Sequence, residues 1–358
     1  TRYTDPNFLN NAGGLDDRYK QNEIYGSVAV SHRAGKYFSF SLASDIASTS
    51  LTSNINNFPA PTRTSLWNSF VLQFSKSHWL INAGLLNTNI NDKTESGTAA
   101  NSKNRFTASF AAGYKTTPGS PFLFRFFYKD IFRMPTFNDL YYTYISNINP
   151  KLVPEYSRQY NAGFTYIKNF KSNLSQFSAS VDAYYNSIKD KIIAVPSQNL
   201  FVWTMENIGK VRIEGVDVSG EANGTLTALL KWSARIAYTW QQALDVTDPS
   251  GTQYKNQLPY TPENSGSALV VLYYKNWNGG YSILFSGDRY TLGENDPSNR
   301  LAGWNTQDIF ISWQMIFRDF RMSIKTEAAN IFNQRYDVIH FYPMPGRSFK
   351  LSLLFNNL

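Results

Sequence analysis

Hydrophobic and polar side chains alternate with a period of two residues along most of this chain. The segment around residues 122–129 shows the pattern clearly, because one side carries aromatic rings and the other carries both basic residues. The aromatic side consists of Phe122, Phe124, Phe126 and Tyr128, and the mixed side of Leu123, Arg125, Phe127 and Lys129. Alternation of this kind predicts β-strands with two unlike faces.

About fifteen such segments can be distinguished, and most have ten residues or more. They are predicted near 23–33, 36–46, 65–75, 78–90, 105–116, 121–132, 158–169, 177–194, 203–221, 229–243, 265–275, 279–290, 305–317, 320–331 and 347–356. Strands of globular sheets usually have about five or six residues. A tilted strand that crosses a membrane needs about ten, so the segment length favours membrane-spanning strands.

The predicted connections alternate between short and long. Ala34-Gly35, Lys76-Ser77 and Arg318-Asp319 are short, whereas 47–63, 91–104, 133–157, 244–264, 291–304 and 332–346 are long. Outer-membrane β-barrels have short turns at the periplasmic end and long loops outside the cell. A soluble β-sandwich, the alternative, mixes both lengths at both ends.

The cost of exposing charge to lipid assigns the two faces. A basic residue that faces lipid near the midplane costs about 2–4 kcal/mol, so the face with Arg125 and Lys129 is expected to point into the lumen. The same reasoning places further charged residues there, namely Lys231, Arg235, Arg321, Lys325, Lys350, Asp182, Asp308 and Glu327. The alternative is the solvated face of a soluble sheet.

Composition excludes several classes of site. The 358 residues include no cysteine and only three histidines, and their net charge is +8. We find no HExxH, GxSxG or P-loop motif, so we expect neither an enzyme nor a resident metal or cofactor, and no nucleic-acid partner. Since no apolar run approaches 18 residues, no transmembrane helix is predicted. The start at Thr1 suggests a mature or truncated piece.

Three stretches resemble motifs of TonB-dependent outer-membrane receptors. FRMPTFNDLYY (from Phe132), followed by NPKLVPE, resembles the family's "FRAP … NPNL" box, although Met134 and Lys151 depart from it. NIGKVRIEGVDVSG (from Asn207) resembles its "N-x-G-x-x-x-x-G-V-E" strand. ANIFNQRYDVIHFYPMPGRSFKLSLLF (from Ala329) resembles its C-terminal end, although this chain ends Phe355-Asn-Asn-Leu358.

The resemblance implies an all-β fold, an antiparallel transmembrane barrel of about 22 strands closed by an N-terminal plug. Residues 1–358 would then be the C-terminal part of the barrel, with the final fifteen or so strands. Counting strands backwards from the C-terminus, we expect residues 1–22 to form an extracellular loop. The plug and the first strands would not be in this chain.

The implied function is a multi-pass outer-membrane receptor that imports a scarce nutrient, such as a siderophore or cobalamin, with energy from TonB. The implied partners are the chain's own plug and missing strands, TonB through the plug, a small nutrient ligand and outer-membrane lipid, with a surface lipoprotein as a further candidate. The alternatives are a passive porin or adhesin-like barrel, and a soluble all-β ligand-binding module.

Candidate ligand-binding residues lie on the predicted long loops. They are Tyr141, Tyr142 and Tyr144 in the first motif, Phe201 and Trp203, Arg300, and Tyr336, His340, Phe341 and Tyr342 in the last loop. Aromatic rings with a polar edge suit flat or amphiphilic ligands, and basic loops attract anions. The alternatives are an interfacial aromatic girdle, a packed histidine and ordinary solvated charges. Haem receptors of the family carry a histidine between the halves of the box, and its absence between Phe132 and Leu152 argues against haem.

Overall fold

The computed structural model describes residues 2–5, 15–100, 102–117, 119–141, 151–196, 203–317 and 320–357. Within them the chain is almost entirely β-structure. The strands are β1 Arg2–Asp5, β2 Leu15–Ala34, β3 Phe38–Ser53, β4 Thr62–Lys76, β5 Trp79–Lys93, β6 Lys103–Lys115, β7 Phe122–Arg133, β8 Glu155–Asn169, β9 Leu174–Pro196, β10 Trp203–Thr225, β11 Leu230–Asp245, β12 Asn264–Tyr274, β13 Trp277–Ser286, β14 Arg289–Tyr290, β15 Arg300–Leu301, β16 Trp304–Phe317, β17 Phe320–Ala329, β18 Asp337–Ile339, β19 Tyr342–Pro343 and β20 Ser348–Asn357. One short helix, α1, spans Phe137–Tyr141, and a 3-10 turn spans Pro297–Asn299.

Sixteen of these strands form one sheet in which neighbours in space are mostly neighbours in sequence. Its order is β1 to β13 consecutively, then β16, β17 and β20. The two remaining pairs, β14 with β15 and β18 with β19, are small hairpins within loops. All fifteen predicted strands are confirmed, and they are longer than those of ordinary globular sheets.

One prediction near the N-terminus was wrong. Residues 1–22 were expected to form a loop, but Arg2–Asp5 and Leu15–Arg18 pair as antiparallel strands. Asp16 accepts hydrogen bonds from the guanidinium groups of Arg2 and Arg18. Asn54 joins this region to the next strand, because its side chain accepts from the Arg18 amide at 2.7 Å.

Short and long connections alternate as predicted, although two of the predicted long connections, 47–63 and 91–104, are shorter because β3 extends to Ser53 and β5 to Lys93. Only residues 35–37, 77–78 and 275–276 separate β2 from β3, β4 from β5 and β12 from β13. The long connections are residues 134–141 and 151–154 on either side of the undescribed part between β7 and β8, and residues 246–263, 287–303 and 330–347, and α1 and the small hairpins lie within them. Because consecutive strands are antiparallel, the short turns lie at one end of the strands and the long loops at the other.

The chain divides into two compact units, and each is described by itself. Unit 1 contains residues 1–113, 127–160 and 187–211, and its apolar core lies at the long-loop ends of its strands. Unit 2 contains residues 114–126, 161–186 and 212–358. It includes the loops between β11 and β12, β13 and β16, and β17 and β20.

The two faces of the sheet differ as the alternation predicted. In unit 1 the register aligns Val30, Leu42, Phe70 and Leu85 in one row, and each of these side chains is exposed. In unit 2 the face opposite to the exposed apolar side chains carries charged pairs. Arg125 donates to Asp182 at 2.6 Å, and Lys325 donates to Glu327 at 2.6 Å.

Among the described residues, no helix is long and apolar enough to cross a membrane. The same residues contain no cluster of His, Asp or Glu side chains suited to a metal ion.

Candidate functional site

The first motif forms a compact block at the end of β7. Thr136 precedes α1, and its hydroxyl accepts from the Asp139 amide at 3.2 Å, while Asp139 accepts from the Thr136 amide at 2.8 Å. This reciprocal exchange is a capping box, which satisfies amides that a helix start leaves free. Arg133 adds a charged donor to Asp139 at 3.0 Å. The capping box therefore fixes the position at which this helix of only five residues begins.

A buried ion pair holds this block against the neighbouring strands. Arg63 in β4 donates twice to Asp92 in β5, at 2.7 and 2.6 Å. The same guanidinium donates to the Pro135 carbonyl at 2.7 Å and lies 5.1 Å from the centre of the Phe137 ring. The Asp92 side chain has no exposed surface. Because a buried carboxylate is stable only with a partner, the motif is anchored through Arg63.

Tyr141 is the centre of the apolar core of unit 1. Its ring is fully buried, and it packs edge-on against Phe137 and Phe58 at centroid distances of 5.8 and 6.5 Å. Burial raises the pKa of its hydroxyl and the charge of Asp92 adds to this, while Arg63 and the Ala100 backbone amide oppose it. The hydroxyl therefore stays protonated at neutral pH.

The second half of the first motif is held by the start of the second motif. The Asn207 side chain accepts from the Val153 amide at 3.0 Å and donates to the Val153 carbonyl at 3.0 Å. It also donates to the Asp190 carbonyl at 2.7 Å. Two motifs separated by about fifty residues thus meet through one asparagine, whose amide imitates a strand partner for an otherwise irregular segment.

The third motif organises the last long loop through two asparagines. The Asn330 side chain accepts from the Gln334 amide at 2.9 Å and donates to the Gln334 carbonyl at 2.8 Å. Asn333 accepts from the Arg347 amide at 2.9 Å. Both asparagines have positive φ, 49° and 55°, a conformation that asparagine tolerates better than most residues. The loop is therefore closed upon itself at its base.

Arg289 fixes this loop to the loop before β16. It is 3% exposed, and its guanidinium donates to the carbonyls of Val338 at 3.1 Å and Ala302 at 3.4 Å, and also to that of Asp337. Burial lowers its pKa, although a guanidinium remains charged at any physiological pH. Arg289 is therefore a positioning residue for the loop hairpin β18–β19.

Aromatic side chains concentrate on these two loops. Trp304 and Tyr336 are stacked, with ring centroids 4.5 Å apart. At the tip of the hairpin, His340 contacts Phe341 at a centroid distance of 3.8 Å. Phe341 and Tyr342 are 59% and 47% exposed. The predicted aromatic residues of the last loop thus lie together, two of them at the surface.

A groove of about 640 Å³ opens beside the stacked pair. It is lined by Leu301, Ala302, Gly303, Asn333, Arg335, Tyr336, Asp337, Pro343, Met344 and Gly346. Arg335 is exposed and forms no salt bridge within the described residues. The groove therefore combines an apolar lining, one aromatic ring and an available guanidinium.

Arg300 lies on the same loop as the groove-lining Leu301 but is already paired. Its guanidinium forms an ion pair with Asp288, which also accepts from the Gly303 amide at 2.7 Å. These two donors hold the pKa of Asp288 below its usual range, with the Arg300 hydrogen bond as the larger cause. Arg300 consequently contributes less free positive charge than the sequence suggested.

The structure places the predicted ligand-binding residues in different environments. Tyr141 was expected to present its ring to a ligand, but in this structure it is a core residue with no exposed surface. Tyr142, Tyr144 and Phe201 lie outside the described residues, and Trp203 is the first residue of β10. Arg300, Tyr336, His340, Phe341 and Tyr342 all lie in the loops of unit 2.

Sequence reasoning missed the roles of the residues that position the loops, although Arg289 was recognised as one of the basic residues on the long loops. Arg63, Asp92 and Arg289 are separated in sequence from what they hold, so no local pattern identifies them. Thr136 and Asp139 could have been found, because their spacing is that of a capping box.

Comparison with known proteins agrees with the family resemblance of the three sequence motifs. A family model described as "TonB dependent receptor-like, beta-barrel" matches residues 1–333. The vitamin B12 transporter BtuB of Vibrio vulnificus is 25% identical over 61% of this chain and 32% of its own length. The vitamin B12 transporter BtuB of Photobacterium profundum is 24% identical over the same shares of the two chains.

Solved structures share the fold at low sequence identity. The copper transporter OprC matches with a TM-score of 0.76 and 15% identity over 99% of this chain and 58% of its own. The ferric preacinetobactin receptor BauA of Acinetobacter baumannii matches with a TM-score of 0.67 and 14% identity, over 96% of this chain and 55% of its own. The chain thus spans about a third of the curated relatives and somewhat more than half of these structures.

Proposed function

The chain belongs to the family of TonB-dependent receptor β-barrels, and from this premise we propose that it is part of an outer-membrane receptor that imports a scarce nutrient with energy supplied through TonB. In this proposal the loops of unit 2 capture the ligand outside the cell, since long loops of such barrels are extracellular. The plug and the contact to TonB belong to parts of the receptor beyond this chain.

The observation that carries the proposal is the groove beside Trp304 and Tyr336. Its available guanidinium, Arg335, suits a carboxylate, phosphate or chelated anion, because charge-assisted hydrogen bonds from arginine are strong and directional. Tyr336 is already held by its stacking partner. A ring that is fixed before binding loses little conformational entropy when a ligand packs on it.

The chemistry of the groove favours an anionic or amphiphilic metal chelate as ligand. The names of similar proteins mention vitamin B12, copper and ferric preacinetobactin, each a metal ion or a metal complex. In this proposal, Phe341 and Tyr342 provide exposed aromatic surface at the entrance. His340 remains a candidate contact, while Arg300 serves mainly to order its loop through Asp288.

The first test measures ligand binding by the full-length receptor that contains this chain. Cobalamin, ferric citrate and ferric catecholate siderophores are titrated separately by calorimetry against the wild type and the Arg335→Ala variant. A hydrogen bond to a charged group contributes about 1.5–3 kcal/mol, so we expect Arg335→Ala to weaken binding of the correct ligand at least about tenfold. Lys255→Ala is the matched control, because it removes one exposed charge from another long loop of unit 2.

The second test concerns the energy source. Uptake of the ligand that binds should stop when TonB is deleted or the proton gradient is collapsed, while binding to whole cells persists. Uptake that continues without TonB would indicate a passive porin instead. Equal affinities of Arg335→Ala and Lys255→Ala would remove the groove from the proposed site without affecting the family assignment.

A further inference from the structure

The positive charge of this chain is concentrated at the short-turn ends of its strands. Each described short turn contains a lysine or has one within two residues, and none of these contains Asp or Glu, whereas the sequence between β16 and β17, outside the described residues, is Arg318-Asp319. These basic residues are Arg33, Lys36 and Lys76 in unit 1, and Lys115, Lys168, Lys171, Lys231, Lys275 and Arg321 in unit 2. All of them are exposed.

The long-loop ends have a different charge distribution. There, basic residues are interspersed with acidic ones and form ion pairs, as in Arg63–Asp92, Arg133–Asp139 and Arg300–Asp288. The chain has 34 basic and 26 acidic residues. Apart from the nine basic residues at the short turns, the chain has 25 basic and 26 acidic residues, so these nine account for its excess of positive charge.

In unit 1 two of these lysines meet at one aromatic ring. The ammonium groups of Lys36 and Lys76 lie 5.4 and 5.2 Å from the centre of the Tyr37 ring. Tyr37 is held in place, because its carbonyl accepts from the Ser75 amide at 2.8 Å and its ring contacts Phe74 at 6.4 Å. Neither lysine forms a salt bridge with a carboxylate in the described part of the chain.

Two like charges held near one ring repel each other. An anion bound beside Tyr37 would offset that repulsion, and each ammonium group provides three N–H donors. We call Lys36, Tyr37 and Lys76 the lysine clasp. Within unit 2 the same pairing of lysine with aromatic ring recurs singly, since Lys168 lies 5.2 Å from Phe170 and Lys275 lies 5.5 Å from Tyr274.

We propose that the short turns bind the phosphate groups of anionic phospholipids in the periplasmic leaflet, in unit 1 through the lysine clasp. Short turns of outer-membrane barrels face the periplasm. Girdles of aromatic residues mark both membrane interfaces of such barrels, and Phe38 and Trp79, both 46% exposed, lie beside the clasp. A clasp at headgroup level is in reach of lipid phosphate, whereas an acidic protein would dock beyond this level.

The test uses the full-length receptor, purified in neutral detergent and mixed with equal amounts of phosphatidylglycerol and phosphatidylcholine that have the same acyl chains. Native mass spectrometry measures the ratio of the two lipids retained by the folded protein. We expect the wild type to prefer phosphatidylglycerol, and the preference to decrease with added salt because exposed charges are screened.

The double variant Lys36→Ser with Lys76→Ser should lower this preference about thirtyfold, since each basic residue near an anionic surface contributes about a fivefold preference and the two contributions multiply. The double variant Lys20→Ser with Lys93→Ser is the matched control, because it removes two exposed lysines from the long-loop ends of unit 1. It should leave the preference unchanged. Replacing Lys36 and Lys76 by arginine should retain it.

Heat-modifiable migration on gels shows for each variant that the protein is folded. The proposal is overturned if the wild type retains both lipids equally, and an acidic periplasmic protein then becomes the better candidate partner. It is also overturned if removing the clasp lysines changes the lipid ratio no more than the control does. Neither result would affect the proposed nutrient uptake, which is measured with a different ligand at the opposite end of the strands.

Discussion

Replacing Arg63 by methionine should release the first motif from the strands that it packs on. Methionine keeps much of the side-chain volume but removes both hydrogen bonds to Asp92 and the one to Pro135. The carboxylate of Asp92, which has no exposed surface, would be left without its charged partner. Water has to reach it, and the segment from Pro135 to Tyr141 is the part of the core that can move away.

The expected magnitude follows from the burial of the pair. Removing one partner of a buried ion pair costs about 3–5 kcal/mol. The side chain of Arg63 is 13% exposed, so water already reaches the pair to some extent and the lower end of this range applies. About 3 kcal/mol corresponds to somewhat more than a hundredfold change in an opening equilibrium.

Hydrogen exchange of the full-length protein measures this opening directly. The Leu140 amide donates to the Thr136 carbonyl at 3.1 Å, so its protection factor reports whether α1 is formed. We expect that factor to fall about a hundredfold in Arg63→Met. Arg158→Met is the control, because Arg158 is 69% exposed and its partner Asp130 is 3.7 Å away, and exposed pairs contribute less than about 1 kcal/mol.

A second substitution separates loss of charge from loss of packing. Adding Asp92→Leu to Arg63→Met removes the buried carboxylate, and the exchange of Leu140 should then recover to within about 1 kcal/mol of the wild type, the net value of the lost hydrogen bond to Pro135. If Arg63→Met exchanges no faster than Arg158→Met, the ion pair does not anchor the motif. If the double variant fails to recover, the buried charge is not the cause.

Gly163→Ala should destabilise the folded protein by about 1–3 kcal/mol, because a Cβ there would lie 2.3 Å from Asp182 Oδ1 and 2.5 Å from the Val181 carbonyl. Chemical denaturation measures this loss, and Gly119→Ala is the control, because nothing lies within 4 Å of a Cβ at that position. Asp139→Ala should raise the exchange rate of the α1 amides by about fivefold, since losing a helix cap costs about 1 kcal/mol, and unchanged rates would contradict the capping box. Because the pKa of Asp288 is lowered in the folded protein, its contribution to stability is present above the ordinary aspartate pKa and is lost as the pH falls through the folded value. The protection factor of the Gly303 amide should therefore decrease in acid in the wild type, and Asp288→Asn should abolish that dependence.

The three sequence motifs have mainly structural roles where the structure describes them. Asn207 of the second motif pairs with the backbone of Val153 in the first. Asn330 and Asn333 of the third motif close the last loop on itself. In each case a side-chain amide supplies a donor and an acceptor to backbone that has no strand partner. The motifs therefore mark the family through the loop geometry that they stabilise.

The strands, the alternation of short and long connections and the two faces of the sheet could be predicted from the residues alone. These features are local, because a period of two residues follows from strand geometry and the sorting of charged from apolar side chains follows from solvation. The lysines near the short turns were also visible in the sequence. Only the strand directions show that these turns lie at the same end of neighbouring strands.

Long-range packing in the folded chain determines which loop residues are buried and which are available. Tyr141 looked like a presented ring, yet Arg63 and Asp92, from strands distant in sequence, pull its segment into the core. Arg300 and Arg335 are both arginines on long loops. Asp288 forms an ion pair with Arg300, whereas the guanidinium of Arg335 remains available at the groove. Contacts between residues far apart in the sequence decide whether a side chain is exposed and whether its charge is paired. The local pattern around a residue contains no information about its distant partner.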